Sequence, residues 1–233
     1  MLRRRSSERP RSPLRAGVAD RHPAPCIYVL AGTNGAGKSS VGGEMLLKKG
    51  VDFFNPDDAT RLIVAANPAM TSATANSAAW HEGRRLLERA IAERLSFAFE
   101  TTLGGRTITA LLDRALSEGL DVRVWYVGLS SPELHIARVS ARVELGGHDI
   151  PADRIRDRYD GSRLNLIRLL PKLTELWVYD NSEDTDLVAG VAPEPTLVLH
   201  MARGAIVRTC DLRLVPDWAK PILAIAMKPP RPK

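Results

Sequence analysis

Apolar residues along this chain recur with two different periods. Short runs occupy residues 26–31 (CIYVLA), 51–55 (VDFFN), 96–102 (SFAFETT), 121–129 (DVRVWYVGL) and 175–182 (ELWVYDNS). Runs of this length, rich in β-branched and aromatic residues, predict strands. Between them the spacing turns helical. Residues 38–48 and a segment ending near residue 118 read as helices, and Trp80, Gly83, Leu87, Ile91 and Leu95 fall three or four apart along residues 79–95. That spacing places Trp80, Leu87 and Ile91 in the core and His81, Arg84 and Arg85 on the exposed face. Ser131, Pro132 and Glu133 form an N-cap, a first-turn proline and a first-turn acid, so another helix starts there. Residues 196–210 (TLVLHMARGAIVRTC) predict a hairpin with Gly204 near its turn.

Strand–helix alternation predicts an α/β fold, a mostly parallel sheet with helices on both faces. The 233 residues suffice for one domain with a substantial core. The formal charge of +6 is unevenly placed. Residues 1–25 carry seven arginines and two acids, net +5, and the remainder carries 26 basic and 25 acidic groups, net +1. The expected organisation is a disordered basic tail (1–24), a folded domain (25–228) and a short C-terminal tail (229–233). A near-neutral body argues against a nucleic-acid partner. No run of about 18 apolar residues exists, so no membrane span is expected, and the arginine-rich start lacks the apolar segment of a secretory signal. Two distant cysteines, Cys26 and Cys210, suggest a reducing compartment, hence the cytoplasm.

The stretch after the first run, GTNGAGKSS, carries the chemistry. Gly32, Gly37, Lys38 and Ser39 match G-x-x-x-x-G-K-[ST]. Glycines let the backbone curl with its N–H groups turned inward on an anion, and the following helix adds the positive end of its dipole. Gly32, Thr33, Asn34, Gly35, Ala36, Gly37, Lys38, Ser39 and Ser40 are thus the expected nucleotide cradle. Lys38 would reach the terminal phosphates and Ser39 would hold Mg²⁺. No guanine-reading NKxD and no LSGGQ-like signature accompany the loop. A small kinase remains, which needs a base, a hydroxyl acceptor and mobile cations.

Functional residues of parallel sheets gather at the carboxyl ends of strands. Asp57, in NPDD, follows the second run and suits a proton acceptor; alternatively Asp57 or Asp58 caps the next helix. Glu100 ends FAFE, where it could bind a substrate hydroxyl or order the Mg²⁺ shell, with Thr101 and Thr102 beside it. In residues 135–159, Ile136, Val139 and Val143 make an apolar face, and Arg138 and Arg142 share a face roughly opposite. The break GGHDIP then suggests a helix–loop–helix lid with arginines aimed at transferring phosphate. Arg158 and Arg163 are weaker candidates.

The ordered set GTNGAGKSS, NPDD, FAFETTL, RVSARVELGGHDIP and RIRDRY resembles the zeta-toxin family of P-loop kinases, over most of residues 26–182. The resemblance implies a P-loop kinase fold that uses ATP or GTP to phosphorylate a sugar hydroxyl of UDP-N-acetylglucosamine or a related UDP-sugar. It implies phosphate and Mg²⁺ roles for Lys38 and Ser39, a catalytic base at Asp57, sugar contacts at Glu100 with Thr101 or Thr102, and a lid arginine at Arg142. The second lid arginine of the family is missing from GGHDIP, where His148 stands, and Arg138 or Arg158 would substitute. A separately encoded antitoxin is the implied partner. The rival readings are a P-loop kinase for another small-molecule or nucleic-acid hydroxyl, and a nucleotide-dependent switch.

Overall fold

The computed structural model describes residues 24–38, 53–183 and 194–228. The basic tail (residues 1–23), the helix expected after Lys38, Val51 and Asp52 of the second run, and residues 229–233 lie outside them, as do Ser39 and Ser40.

Seven strands form one sheet in the order β2-β3-β1-β4-β5-β6-β7. They are β1 Cys26–Ala31, β2 Phe53–Phe54, β3 Phe97–Thr101, β4 Asp121–Gly128, β5 Glu175–Asp180, β6 Thr196–Ala202 and β7 Ala205–Thr209. The first five pair in parallel, and β6 and β7 add an antiparallel hairpin at one edge. Its turn, Arg203 and Gly204, is left-handed at both positions (φ +49° and +77°), which matches the twist of a tight hairpin. The helices are α1 Pro56–Ala66, α2 Ser72–Ala92, α3 Arg106–Ser117, α4 Pro132–Glu144, α5 Ala152–Leu169 and α6 Lys220–Ala226. No helix among the described residues is long and apolar enough to cross a membrane.

The main core lies on one sheet face. Ile27, Val29, Phe99, Val122, Val124 and Val178 meet Leu87 and Ile91 of α2, Leu112 of α3, Leu166 of α5 and Ile222 of α6. On the other face Leu30, Ala98 and Trp125 are buried. There a stacked row crosses the sheet from Tyr28 through Trp125 and Trp177 to His200. Rows of cross-strand aromatic neighbours stabilise a sheet and fix its register.

Two expectations change. The long helix starts at Ser72, where the Thr71 hydroxyl accepts from Thr74 N, and it stops at Ala92, because Arg94 turns left-handed (φ +53°). Leu95 therefore falls outside the helix and is 43% exposed. Trp80 is 40% exposed, so it is not the core residue its spacing predicted. On α4 the buried positions are His135 and Val139, with Ile136 and Val143 only half-buried. A buried histidine looks polar in a sequence, which shifted the expected face by one residue.

Candidate active site

β1 ends at Ala31 and turns through three glycines with positive φ, Gly32 (+142°), Gly35 (+80°) and Gly37 (+80°). Each faces a different wall. A Cβ on Gly32 would come within 2.2 Å of Val127 O in β4, one on Gly35 within 2.7 Å of His135 O in α4, and one on Gly37 within 2.3 Å of Asn181 Nδ2 beyond β5. Sheet, α4 and the β5 exit thus close on the loop together. Asn181 braces it further by donating its Nδ2 to Ala36 O (2.9 Å).

Asn34 is gripped at both of its carbonyls. His135 Nδ1 lies 2.8 Å from the backbone oxygen; a carbonyl only accepts, so Nδ1 carries the proton. Burial pushes the His135 pKa down to about 4, against the pull of that bond, so the ring is neutral at pH 7. Arg158, from α5, donates Nη1 to Asn34 Oδ1 (2.7 Å). Burial first, then neighbouring Arg154, draws the Arg158 pKa below the usual guanidinium range, and the Asp57 carboxylate draws it back. Arg158, a minor candidate by sequence, therefore sits against the loop and within the field of Asp57.

Lys38 folds back over the loop, with Nζ 2.9 Å from Gly32 O and 3.3 Å from Glu100 Oε1. The other oxygen of Glu100 accepts from Asn55 Nδ2 (3.3 Å). Asn55 is also the N-cap of α1, its Oδ1 accepting from Asp57 N (2.8 Å) and Asp58 N (3.4 Å). The cap role considered for Asp57 or Asp58 thus belongs to Asn55. Asp58 is engaged by Arg61 and lines one of the clefts described next, whereas Asp57 lines both. Asn55 thus joins the Glu100 carboxylate to the start of α1, and Glu100 in turn pairs with Lys38.

They stand where two clefts meet. One, of about 1,010 Å³, is walled by Gly35 and Gly37 of the loop, by Arg138 and Arg142 of α4, and by Gly146 and Gly147. The other, of about 780 Å³, is walled by Thr101, Thr102, Trp80, Arg84, Ile108, Arg154 and Arg158. Asn34, Lys38, Asn55, Asp57 and Glu100 border both, as do His148 and Asp149 of the segment between α4 and α5. That segment turns at Gly146 (φ +86°). It is held by Arg142 Nη2 donating to His148 O (2.8 Å) and by the His148 Nε2–Asn76 Nδ2 contact (3.0 Å). Arg138 donates to Glu183 O (2.9 Å). The structure therefore brings Lys38, Asp57, Glu100, Arg138 and Arg142 to one place. Arg163 is elsewhere, over the Tyr159 ring at 4.1 Å.

The turn after β3 is gripped by α5. Tyr126 OH donates to Ser162 Oγ (3.0 Å), which donates to Thr102 O (2.7 Å), and Asn165 Nδ2 donates to Leu103 O (2.8 Å). Gly161 lets the helix this close, since a Cβ there would come 3.2 Å from Gly104 O. The Thr101 and Thr102 hydroxyls accept from Leu103 N and Gly104 N, which leaves each O–H proton for another partner. Asn55, Arg158 and Asn181 were the residues least legible beforehand. NPDD showed a cap of some kind, but tertiary contacts alone assign it.

Comparison with known proteins bears on the family and the fold. The family model described as Zeta toxin matches residues 15–189. An uncharacterised protein of Haemophilus influenzae is 31% identical over 134 residues, covering 55% of this chain and 88% of its own length. A chain of the AvrRxo1-ORF1:AvrRxo1-ORF2 complex, solved with sulphate ions and also with ATP, superposes with a TM-score of 0.61 at 17% identity, covering 90% of this chain. This chain spans 65% of the length of that one. The PezAT toxin–antitoxin system of Streptococcus pneumoniae gives a TM-score of 0.51 at 16% identity, over 68% of this chain and 69% of the other. With the loop, the α/β sheet and a family match over three quarters of its length, the chain belongs to the zeta toxin family.

Proposed function

We propose that the chain is a nucleotide-dependent kinase that phosphorylates a sugar hydroxyl of UDP-N-acetylglucosamine or a related UDP-sugar. One observation carries the reading. Lys38, Asp57 and Glu100 converge at the junction of two clefts, with Asp57 released from capping by Asn55. In this reading the glycine-walled cleft takes ATP or GTP and the threonine-walled cleft takes the acceptor. The two ligands then meet in line above Lys38.

The loop suits an anion, because its glycines take the positive φ values, between close walls, that a backbone anion nest requires. Lys38 exchanges Gly32 O and Glu100 for terminal phosphate oxygens. Asp57 accepts the proton as the acceptor oxygen bonds to the γ-phosphorus. The bond from that phosphorus to the β,γ-bridging oxygen breaks, and the nucleoside diphosphate leaves. Glu100 and the Thr101 or Thr102 hydroxyls orient the sugar. Arg142 and Arg138 from the lid, with Arg158 from α5, offset charge on the transferring group. Arg158 is the better replacement for the missing lid arginine, since it already bonds the loop through Asn34. Mg²⁺ would neutralise phosphate charge when bound, held through Ser39. Residues 25–228 form the kinase domain. The protein acts in the cytoplasm, away from membranes and nucleic acid, with a separately encoded antitoxin as partner.

The test is a transfer assay with radiolabelled ATP, Mg²⁺ and a panel of UDP-sugars, with Lys38→Ala and Asp57→Ala as controls. Label on UDP-N-acetylglucosamine that disappears in both variants is expected. Nucleotide binding with no labelled UDP-sugar would overturn the acceptor assignment.

A further inference from the structure

The threonine-walled cleft contains a large aromatic side chain that the core does not use. Trp80 is 40% exposed and lines that cleft. The cleft-facing positions of α2 fall at three- and four-residue spacings, one face of a helix. Besides Trp80 this face carries Ala73, Asn76, Ser77 and Gly83, all small or polar, and then Arg84. Gly83 sets the depth of the helix, since a Cβ there would come 2.6 Å from Phe54 Cε1 of β2. α2 therefore lies tight against the sheet, with Trp80 one turn earlier at the cleft wall. His81 stands perpendicular to the indole at 5.0 Å. Three arginines line the same cleft: Arg84, paired with Glu88 one turn along α2, and Arg154 and Arg158 on α5.

A partly exposed indole in a cleft that guanidinium groups also line suits a ligand that is both planar and anionic. The volume agrees. At about 780 Å³ the cleft is in the range that buries a drug-sized molecule, roughly 300–1,000 Å³. We infer that Trp80 is the stacking platform for a planar ring of the acceptor. Trp80 then helps to set which acceptors the cleft takes. The inference rests on the kinase reading only in calling this cleft the acceptor side.

Equilibrium binding tests it without requiring transfer. Full-length protein is saturated with a non-hydrolysable ATP analogue to fill the donor side. Tryptophan emission is then followed while UMP, AMP, UDP-N-acetylglucosamine or the ring-free N-acetylglucosamine 1-phosphate is added. At least one ring-bearing ligand is expected to quench the wild type. Trp80→Leu should lose that quench and bind the same ligand about 5- to 150-fold more weakly. Trp80→Phe, which keeps a ring, should recover most of the affinity, and the ring-free ligand should bind all three proteins alike. Should Trp80→Leu not fold, loss of the quench in Trp80→Phe with retained affinity decides the same point. Unchanged ring binding in Trp80→Leu, an equal loss for the ring-free ligand, or no quench by any ring-bearing ligand overturns the inference. Transfer to a UDP-sugar that ignores Trp80 overturns it while leaving the proposed function standing. Quenching by a nucleotide without transfer to any UDP-sugar does the reverse.

Discussion

Glu100 Oε1 lies 3.3 Å from Lys38 Nζ, with both side chains largely buried. The pair links the phosphate loop to the end of β3 before any ligand arrives. A buried carboxylate that loses its only cation is costly, whereas removing both charges together is much cheaper. Lys38→Met should therefore abolish nucleotide binding and also cost about 1–3 kcal/mol of stability. Adding Glu100→Gln should restore a good part of that stability but none of the binding. Denaturant midpoints of the two single variants and the double variant measure the coupling. Strict additivity would mean that the pair contributes nothing in the free protein.

Asn55 and Asp57 should separate stability from chemistry. Asn55 caps α1 and Asp57 does not, so Asn55→Ala should lower stability by about 1 kcal/mol. Asp57→Ala should leave the melting temperature almost unmoved while cutting transfer by about 10²- to 10⁴-fold. Thermal melts beside transfer rates decide it. A large melting shift in Asp57→Ala would return the aspartate to a structural role.

The glycines differ in what surrounds them. Gly32→Ala puts a methyl 2.2 Å from a backbone oxygen at φ +142°, where neither the strand nor the loop can yield cheaply. It should cost about 1–3 kcal/mol and most of the nucleotide affinity. Gly105→Ala meets open space at an ordinary φ of −100° and should fall within about 0.5 kcal/mol of wild type. Calorimetry on the two variants, each titrated with ATP, compares them directly.

His135 makes stability depend on acid pH. Its pKa is about 4 in the folded protein and about 6.5 when unfolded. Between those values the unfolded chain holds a proton that the folded chain does not. The contribution of the neutral ring is thus complete above pH 6.5 and is lost as pH falls towards 4. The total is about 3 kcal/mol. In His135→Gln that part of the slope should vanish while a donor to Asn34 O remains. Unfolding free energies from pH 7 to pH 4 measure it, and an unchanged slope would mean that another group is responsible.

The amino-acid sequence by itself determined the strand runs, the helix periods, the phosphate loop and the family. Those signals are local: a glycine pattern needs only its own backbone, and an apolar period needs only its own element. The first strand, the α4 cap at Ser131 and the hairpin turn at Gly204 were legible for that reason. Tertiary structure alone decided what depends on neighbours distant in the chain. It gave the α1 cap to Asn55 rather than to the adjacent aspartates, because Asn55 also bonds Glu100, 45 residues away. It buried His135 because Asn34, 101 residues away, offers a carbonyl. It turned Trp80 from a core position to a cleft wall, because Gly83 draws α2 onto Phe54 while Trp80, one turn earlier, stays partly exposed. Helical spacing records which residues share a face, but not what that face meets.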